Sequence, residues 1–188
     1  MSSAMLIGLT GLNASGKGTV AESLQARGYA YHSLSDAIRD VLAEQGLAPT
    51  REHMIEAGRE LRRKGGPGAL AEQILKKIGP DDNAIIDSIR TPGEVEVLRG
   101  HPGFCLIEVT ASEPVRLTRI TARGRIGDPT DLETFRRLEA AELTGDSAGQ
   151  QLVATAALAD AQLPNEGDMD ALYAALEGLL ESFRPKSA

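Results

Sequence analysis

Short apolar runs alternate along the chain with longer segments in which apolar residues recur every three or four positions. The short runs predict five strands, at residues 5–9, 29–33, 83–87, 103–111 and within 159–167. The helical spacing predicts helices between and after them, at residues 17–27, 34–46, 51–65, 69–79, from 92 onward, 112–125, within 127–143 and 168–183. Strands that alternate with helices are typical of a parallel sheet covered by helices on both faces.

Capping residues and turn formers agree with these boundaries. Ser35 is predicted to open the second helix and Gly46 to end it. Pro92 and Pro114 suit the first turn of a helix, because proline lacks the amide hydrogen that a helix leaves unpaired there. The glycine-rich residues 65–68 predict a turn between two helices.

The composition narrows the class of protein. The 188 residues suit a single domain, 1–188, with a core of its own. No apolar run approaches the ~18 residues of a membrane span, and the start of the chain lacks the pattern of a secretory leader. A single cysteine, Cys105, excludes an internal disulfide, so we expect a cytoplasmic protein. The net charge of −7 argues against a protein that coats nucleic acid.

The segment after the first strand has the composition of a phosphate-binding loop. Gly11, Gly16 and Lys17 fit the pattern G-x-x-x-x-G-K, with a strand before and a helix after. Glycines let backbone amides turn toward an anion, and the lysine supplies a charge for the β- and γ-phosphates of ATP. A glycine-rich turn without function is the alternative. We expect this loop to bind ATP through Gly11, Asn13, Ala14, Ser15, Gly16, Lys17, Gly18 and Thr19.

Two acidic residues, each followed by an arginine, come after the second and third strands. Asp36 and Arg39 lie three residues apart and share one face of a predicted helix, where an exposed ion pair is the alternative to a binding role. Asp87 ends a buried strand, where ligands of parallel sheets bind, and would lie close to a magnesium ion. A turn or cap residue is the alternative for Asp87. Arg90 follows within reach.

Arginines recur on the predicted helix that follows the fourth strand. Arg116, Arg119 and Arg123 fall at i, i+3 and i+7, so they share one helix face. A polyphosphate would supply their counter-anion, and a solvated basic face is the alternative. Weaker candidates are Arg62 for an acceptor pocket and Asn165 for contact with the adenine.

Five stretches resemble motifs of one enzyme group. "GKGT" (16–19), in which Gly18 displaces the usual hydroxyl residue by one position, resembles the phosphate loop of adenylate kinases. "SDAIR" (35–39) resembles their GD-x-x-R, and "DSIRT" (87–91) resembles their D-G-F-P-R-T with one residue fewer. "GRELR" (58–62) and "ADAQLPN" (159–165) resemble motifs of adenylate kinase-like proteins. The chain is therefore similar, over nearly its whole length, to P-loop kinases of small metabolites.

The resemblance implies an α/β fold, the three-layer αβα sandwich of P-loop NTPases with a five-stranded parallel sheet. Acceptor-binding helices would span about 34–78 and a short lid about 119–131. The implied activity is transfer of the γ-phosphoryl group of ATP to a nucleoside or deoxynucleoside monophosphate.

The same resemblance implies the roles of individual residues. The catalytic set comprises Lys17, Asp87, Arg90, Arg119 and Arg123. Arg119 and Asn165 add contacts to ATP, and the substrate set comprises Ser35, Asp36, Arg39, Arg62 and Arg90. Magnesium would be held through water by Asp36 and Asp87, with Thr19 as a further candidate.

Two other functions stay open at this point. Dephospho-CoA kinase shares the phosphate loop and the last motif, and transfer to a sugar hydroxyl would use Asp36 as a base. A non-catalytic ATP-binding switch is the other, although it has no need of acceptor-side arginines. The expected partner is a small nucleotide substrate, with no nucleic acid and no membrane, bound by a monomer or homodimer. Tyr29, Tyr31 and Phe135 are the aromatic candidates for stacking on a base.

Overall fold

The structure is a computed structural model that describes residues 4–124, 128–143 and 151–184. In this part of the chain, five parallel strands form one sheet in the order β2-β3-β1-β4-β5. The strands are β1 (Leu6–Thr10), β2 (Ala30–Ser33), β3 (Ala84–Asp87), β4 (Phe104–Thr110) and β5 (Ala161–Pro164). The predicted α/β sandwich with a five-stranded parallel sheet is confirmed.

Helices connect the strands and cover the sheet. Within the described residues they are α1 (Lys17–Gln25), α2 (Leu34–Glu44), α3 (Arg51–Gly65), α4 (Ala69–Leu75), α5 (Pro92–Arg99), α6 (Glu113–Arg123), α7 (Leu132–Leu143), α8 (Leu152–Ala156) and α9 (Met169–Phe183). The sequence pattern gave no prediction for α8, because a five-residue helix is too short to show helical periodicity. None of the helices in the described ranges is long and apolar enough to cross a bilayer.

The central strand β1 is buried along its whole length. It pairs with β3 on one side and with β4 on the other. Successive side chains of a strand point to opposite faces, and accordingly Leu6 and Ile86 belong to one apolar cluster while Ile7 and Ile85 belong to another. Both faces of the sheet are therefore buried at its centre, which explains the continuous apolar runs of β1 and β3, whereas the edge strand β2 is largely exposed.

The strand order places the functional loops. From β1 the chain goes to β2 and β3 on one side of the sheet and then to β4 and β5 on the other. In open parallel sheets, ligands bind at the carboxyl ends of the strands where the order reverses direction. The loop after β1 and the segment after β3 lie at this edge, since β1 and β3 are parallel neighbours.

Helix caps agree with the sequence at most positions. Pro92 and Pro114 occupy the first turns of their helices, as predicted. At α2 the cap is Ser33, whose Oγ accepts a hydrogen bond from the amide of Ser35 at 3.2 Å. The helix begins at Leu34, as predicted, but the serine that opens it is Ser33 and not Ser35. Either serine could satisfy the unpaired amides.

Candidate active site

The loop that joins β1 to α1 has a backbone that requires glycine at two positions. Gly11 and Gly16 have φ angles of 131° and 104°, which L side chains rarely adopt. A Cβ at Gly11 would lie 2.3 Å from the carbonyl oxygen of Val109, and one at Gly16 would lie 1.9 Å from the side-chain nitrogen of Asn165. The loop is thus packed closely, and α1 begins directly after it at Lys17. This is the arrangement of an anion site at a helix N-terminus.

Lys17 folds back onto the same loop. Its Nζ donates hydrogen bonds to the carbonyl oxygens of Gly11 at 2.7 Å and Leu12 at 3.0 Å. The ammonium group is therefore held at the loop, where it can exchange these carbonyl oxygens for phosphate oxygens. In the first turn of α1, Gly18 is exposed and Thr19 is partly exposed.

Arg119 and Asn165 bind the carbonyl groups of the loop. Nη1 of Arg119 donates to the carbonyl oxygens of Ala14 at 3.3 Å and Ser15 at 3.2 Å. Nη2 donates to the backbone and side-chain oxygens of Asn165, both at 3.0 Å. Asn165 in turn donates from Nδ2 to the Ser15 carbonyl at 3.0 Å, and it is only 2% exposed. The structure therefore places Asn165 as a support of the loop, a buried position that differs from the predicted contact with the adenine.

Asp87 ends β3 next to the central strand. One carboxylate oxygen accepts from the amide of Ser88 at 2.6 Å, and the other accepts from the hydroxyl of Tyr31 at 3.1 Å. Burial and the adjacent Asp87 carboxylate raise the pKa of Tyr31 to about 12, so its hydroxyl stays a donor at neutral pH. Tyr31 orients Asp87 in this way, a role that the sequence interpretation, which treated it as a candidate for base stacking, had missed.

The carboxylates of Asp87 and Asp36 are suited to contact a magnesium ion that is bound to the phosphates of a nucleotide. Among the residues that the structure describes, no three His, Cys, Asp or Glu side chains form a group that could cage a metal. Mg²⁺ keeps several waters and binds through one or two carboxylates together with substrate phosphates, so it needs no such cage. Asp87 retains lone pairs on both oxygens for metal-bound water. Asp36, on α2, is the second predicted contact.

Asp36 and Arg39 on α2, both predicted to bind the acceptor, are exposed and pair with each other. Nη1 of Arg39 lies 2.5 Å from Oδ1 of Asp36, and the two side chains are 54% and 52% exposed. This is the exposed ion pair that the spacing of the two residues offers as the alternative to a binding role. Such pairs contribute only a few tenths of a kcal/mol, so a bound phosphate can replace one partner easily. Ser35 is partly buried in the same helix.

Arg62 does not line an open pocket, contrary to the sequence-based expectation. Its side chain is 6% exposed and lies 2.8 Å from a carboxylate oxygen of Glu94, which is fully buried. The other oxygen of Glu94 accepts from the backbone amide of Arg90 at 2.8 Å. Arg90, predicted to bind the acceptor, lies between β3 and α5 and is partly exposed.

Arg116 is a buried residue that links α6 to α7. It pairs with Glu139 on α7 and lies 5.2 Å from the ring centre of Phe135. Arg116 and Phe135 are both buried. The shared helix face with Arg119 thus does not make Arg116 a ligand contact, and Phe135 has no exposed ring for a nucleotide base.

Arg123 pairs with an acidic residue at the start of the segment before α7. Its Nε and Nη2 donate to the two carboxylate oxygens of Asp128 at 3.0 and 2.7 Å. Residues 125–127 of the predicted lid (119–131) lie outside the described residues. The arrangement of the lid as a whole therefore stays a prediction.

Glu94 is the residue that sequence reasoning missed most clearly. Thr91 and Glu94 form a capping box, in which each side chain accepts a hydrogen bond from the backbone amide of the other residue. The pattern T-x-x-E before an apolar run predicts this box. No local pattern indicates that Glu94 also pairs with Arg62, which lies 32 residues away.

The site has a glycine-rich loop and a lysine at the switch point of a parallel sheet, next to a strand that ends in an aspartate. These features define a P-loop protein of the kinase fold. The chain belongs to the family described as AAA domain, whose profile matches residues 7–140, and to the UPF0200 proteins. A UPF0200 protein of Hyperthermus butylicus is 33% identical over 94% of this chain and 93% of its own length. One of Pyrobaculum aerophilum is 37% identical over 73% of this chain and 77% of its own.

Solved structures with the same fold include two named kinases. The shikimate kinase of Bacteroides thetaiotaomicron superposes with a TM-score of 0.58, at 14% identity, over 95% of this chain and 97% of its own. A gluconokinase of Sinorhizobium meliloti gives 0.54 at 15% identity over 97% of each chain. At this level of identity the similarity establishes the kinase fold.

Proposed function

We propose that the protein is an ATP-dependent kinase that transfers the γ-phosphoryl group to a nucleoside or deoxynucleoside monophosphate. The observation that carries the proposal is the preformed phosphate loop. Its shape is fixed by Gly11 and Gly16, supported by Arg119 and Asn165, and completed by the charge of Lys17. Phosphoryl transfer needs mainly positioning and charge stabilisation, and groups that are already in place provide both without reorganisation.

On the donor side, the loop amides would bind the β- and γ-phosphates and Lys17 would neutralise their charge. Arg119 and Arg123 would face the transferring group. Arg123 already forms a bidentate contact with the carboxylate of Asp128, a geometry that guanidinium groups also use for phosphate. Bound magnesium supplies charge neutralisation at the phosphates. Asp87 and Asp36 would orient its water ligands, with Thr19 as a further contact.

On the acceptor side, Arg39 and Arg90 would hold the phosphate of the monophosphate, with Ser35 and Asp36 beside them. Arg39 is exposed and shares only a surface ion pair with Asp36, so an incoming phosphate loses little in displacing it. An ionised phosphate oxygen is already a nucleophile, and the transfer therefore needs no strong base.

A second candidate is transfer to a hydroxyl group of a small metabolite. The names of two structural neighbours, a shikimate kinase and a gluconokinase, favour it, since those acceptors carry hydroxyl groups and no phosphate. In that case Asp36 would act as the base, after release from Arg39. Dephospho-CoA is the acceptor of this class that the sequence resemblance suggests.

A panel assay tests both candidates. The purified protein, ATP and magnesium are incubated with each ribo- and deoxynucleoside monophosphate, dephospho-CoA, shikimate and gluconate, and ADP and phosphorylated product are measured. The Lys17→Ala protein, purified in the same way, controls for contaminating kinases. Turnover with one monophosphate supports the first proposal, and turnover only with a hydroxyl acceptor supports the second. ATP binding without any phosphorylated acceptor would favour a nucleotide-dependent switch and contradict both.

A further inference from the structure

A buried ion pair joins the acceptor-side helix α3 to the start of α5. Arg62 donates from Nε and Nη2 to Oε1 of Glu94, at 3.1 and 2.8 Å. The side chains are 6% and 0% exposed. Burial of two charges carries a desolvation cost that often equals their attraction, so apolar residues at such positions are frequently as stable. The stability of the fold alone therefore gives no strong reason for this pair.

The second oxygen of Glu94 binds the backbone that carries Arg90. Oε2 accepts from the amide of Arg90 at 2.8 Å and from the amide of Thr91 at 3.1 Å. One carboxylate thus connects a guanidinium on α3 with two consecutive amides between β3 and α5. A shift of α3 would move this carboxylate and, through it, the backbone of Arg90.

Close packing beside the pair leaves little room for independent movement. The turn after α3 contacts the first turn of α5, where a Cβ at Gly93 would lie 2.5 Å from Cβ of Pro67. The hydroxyl of Thr91 donates to the carbonyl oxygen of Pro67 at 3.3 Å. The two segments are therefore joined by backbone contact as well as by the ion pair.

We infer that Arg62 and Glu94 are positioning residues that fix the backbone of Arg90 relative to α3 and so set the affinity for the acceptor. The inference rests on the proposed function, because Arg90 is the residue proposed to hold the acceptor phosphate. Arg62 acts through Glu94 and does not touch the substrate. Donor binding, at the loop after β1, does not depend on the pair.

The test compares three variants. Arg62→Met removes the guanidinium. The double variant, Arg62→Met with Glu94→Gln, removes both buried charges, so that no unpaired carboxylate is left buried. Arg63→Met is the matched control, because Arg63 is the next residue of the same helix, is 74% exposed and pairs only locally with Glu60. For each protein we measure the KM for the monophosphate identified by the panel, the KM for ATP, the Tm and the hydrogen exchange of residues 88–94.

The expected result separates positioning from folding. Arg62→Met and the double variant raise the KM for the acceptor about tenfold, since small misplacements of a binding group cost this much or more, and the KM for ATP stays within about twofold. Exchange of residues 88–94 becomes faster in both, although the double variant recovers most of the Tm. Arg63→Met matches the wild type in every measurement.

Other results would overturn the inference. If the double variant regained the wild-type acceptor KM along with its Tm, the pair would only compensate buried charge. Equal increases in the KM for ATP and for the acceptor would indicate general destabilisation. If the wild type phosphorylates no monophosphate, the proposed function fails, and the exchange data still decide the coupling: unchanged exchange of residues 88–94 in both Arg62 variants would disprove it.

Discussion

The two sides of the candidate site are built in different ways. On the donor side, the phosphate loop is held by Arg119 and the buried Asn165, which come from segments 104 to 150 residues further along the chain. On the proposed acceptor side, Asp36 and Arg39 lie three residues apart on α2 and form an exposed ion pair. The donor loop is thus set by tertiary contacts, whereas α2 presents charged side chains that solvent surrounds.

Under the proposed function, this difference suits the two sides to separate tasks. Groups in a buried, hydrogen-bonded frame keep their geometry in the absence of ligand, which is what charge stabilisation of a transferring phosphoryl group requires. Exposed ion pairs contribute little and exchange partners readily. We therefore expect the buried frame to fix donor binding, and the exposed residues of α2 to adjust acceptor binding beside Arg90, whose backbone Glu94 holds.

The largest expected effect comes from removing the charge of Lys17 in the phosphate loop. Lys17→Ala should reduce kcat by about 10²- to 10³-fold, because removal of a single charge-stabilising donor commonly costs this much. Steady-state kinetics with saturating ATP check this. Lys77→Ala is the control, since Lys77 is exposed and lies 3.7 Å from Asp40. A loss of less than tenfold for Lys17→Ala would contradict the role of the loop.

The phosphate loop can also be disrupted by a substitution that removes no charge. Gly16→Ala adds a Cβ to a residue whose φ angle is 104°, and this Cβ would lie 1.9 Å from the side-chain nitrogen of Asn165. We expect a loss of about 2–4 kcal/mol of unfolding free energy and a large loss of ATP affinity. Urea denaturation and titration with a fluorescent ATP analogue measure these. Gly18→Ala is the matched control for stability, because apart from the adjacent residues and the backbone of its own helix no described atom lies within 4 Å of the added methyl group. Equal stability of the two variants would show that the loop is not tightly packed.

The acceptor side should respond more weakly and more selectively. Arg39→Ala should raise the KM for the monophosphate about tenfold, in line with loss of one hydrogen bond to a charged group, and leave the KM for ATP unchanged. Its unfolding free energy should change by less than about 0.5 kcal/mol, as for an exposed pair. An unchanged acceptor KM would place the acceptor site elsewhere.

The smallest expected effect is a pH-dependent change in stability that arises at His32 on the edge strand β2. Burial, assisted by the charge of Lys77, lowers the pKa of His32 below its usual 6.5. The unfolded chain then binds the proton more readily, so the stability that neutral His32 contributes is present above pH 6.5 and is lost as the pH falls through the lower folded-state pKa. We expect His32→Gln to show a smaller fall in Tm between pH 7.5 and 5 than the wild type. An identical fall in both proteins would assign the acid sensitivity to other groups.

The features predictable from sequence are those encoded locally. The central strands, buried on both faces, are continuous apolar runs, and the pattern of the phosphate loop lies within residues 11–17. Both were therefore found, although distant residues support the loop. The three arginines of α6 do share a helix spacing, but their surroundings differ. Arg116 meets Glu139 and Phe135 of another helix, while Arg119 meets the loop.

The features that the sequence did not reveal depend on distant partners. Arg62 and Glu94 are separated by 32 residues, and Asn165 lies 150 residues from the carbonyl group it binds. Single residues that meet across such distances leave no periodic pattern. The hydroxyl of Tyr31 reaches Asp87 for the same reason, because the pairing of β2 with β3 brings them together.

The bond between Asn165 and the Ser15 carbonyl also orders events during synthesis. The phosphate loop is synthesised before β5, yet the side chain that supports it emerges only after β5 has been made. A nascent chain that ends before Asn165 lacks this support and leaves Arg119 without two of its acceptors. Nucleotide capture is therefore expected to begin only after Asn165 has left the ribosome, so that the proposed ATP binding would follow the synthesis of β5.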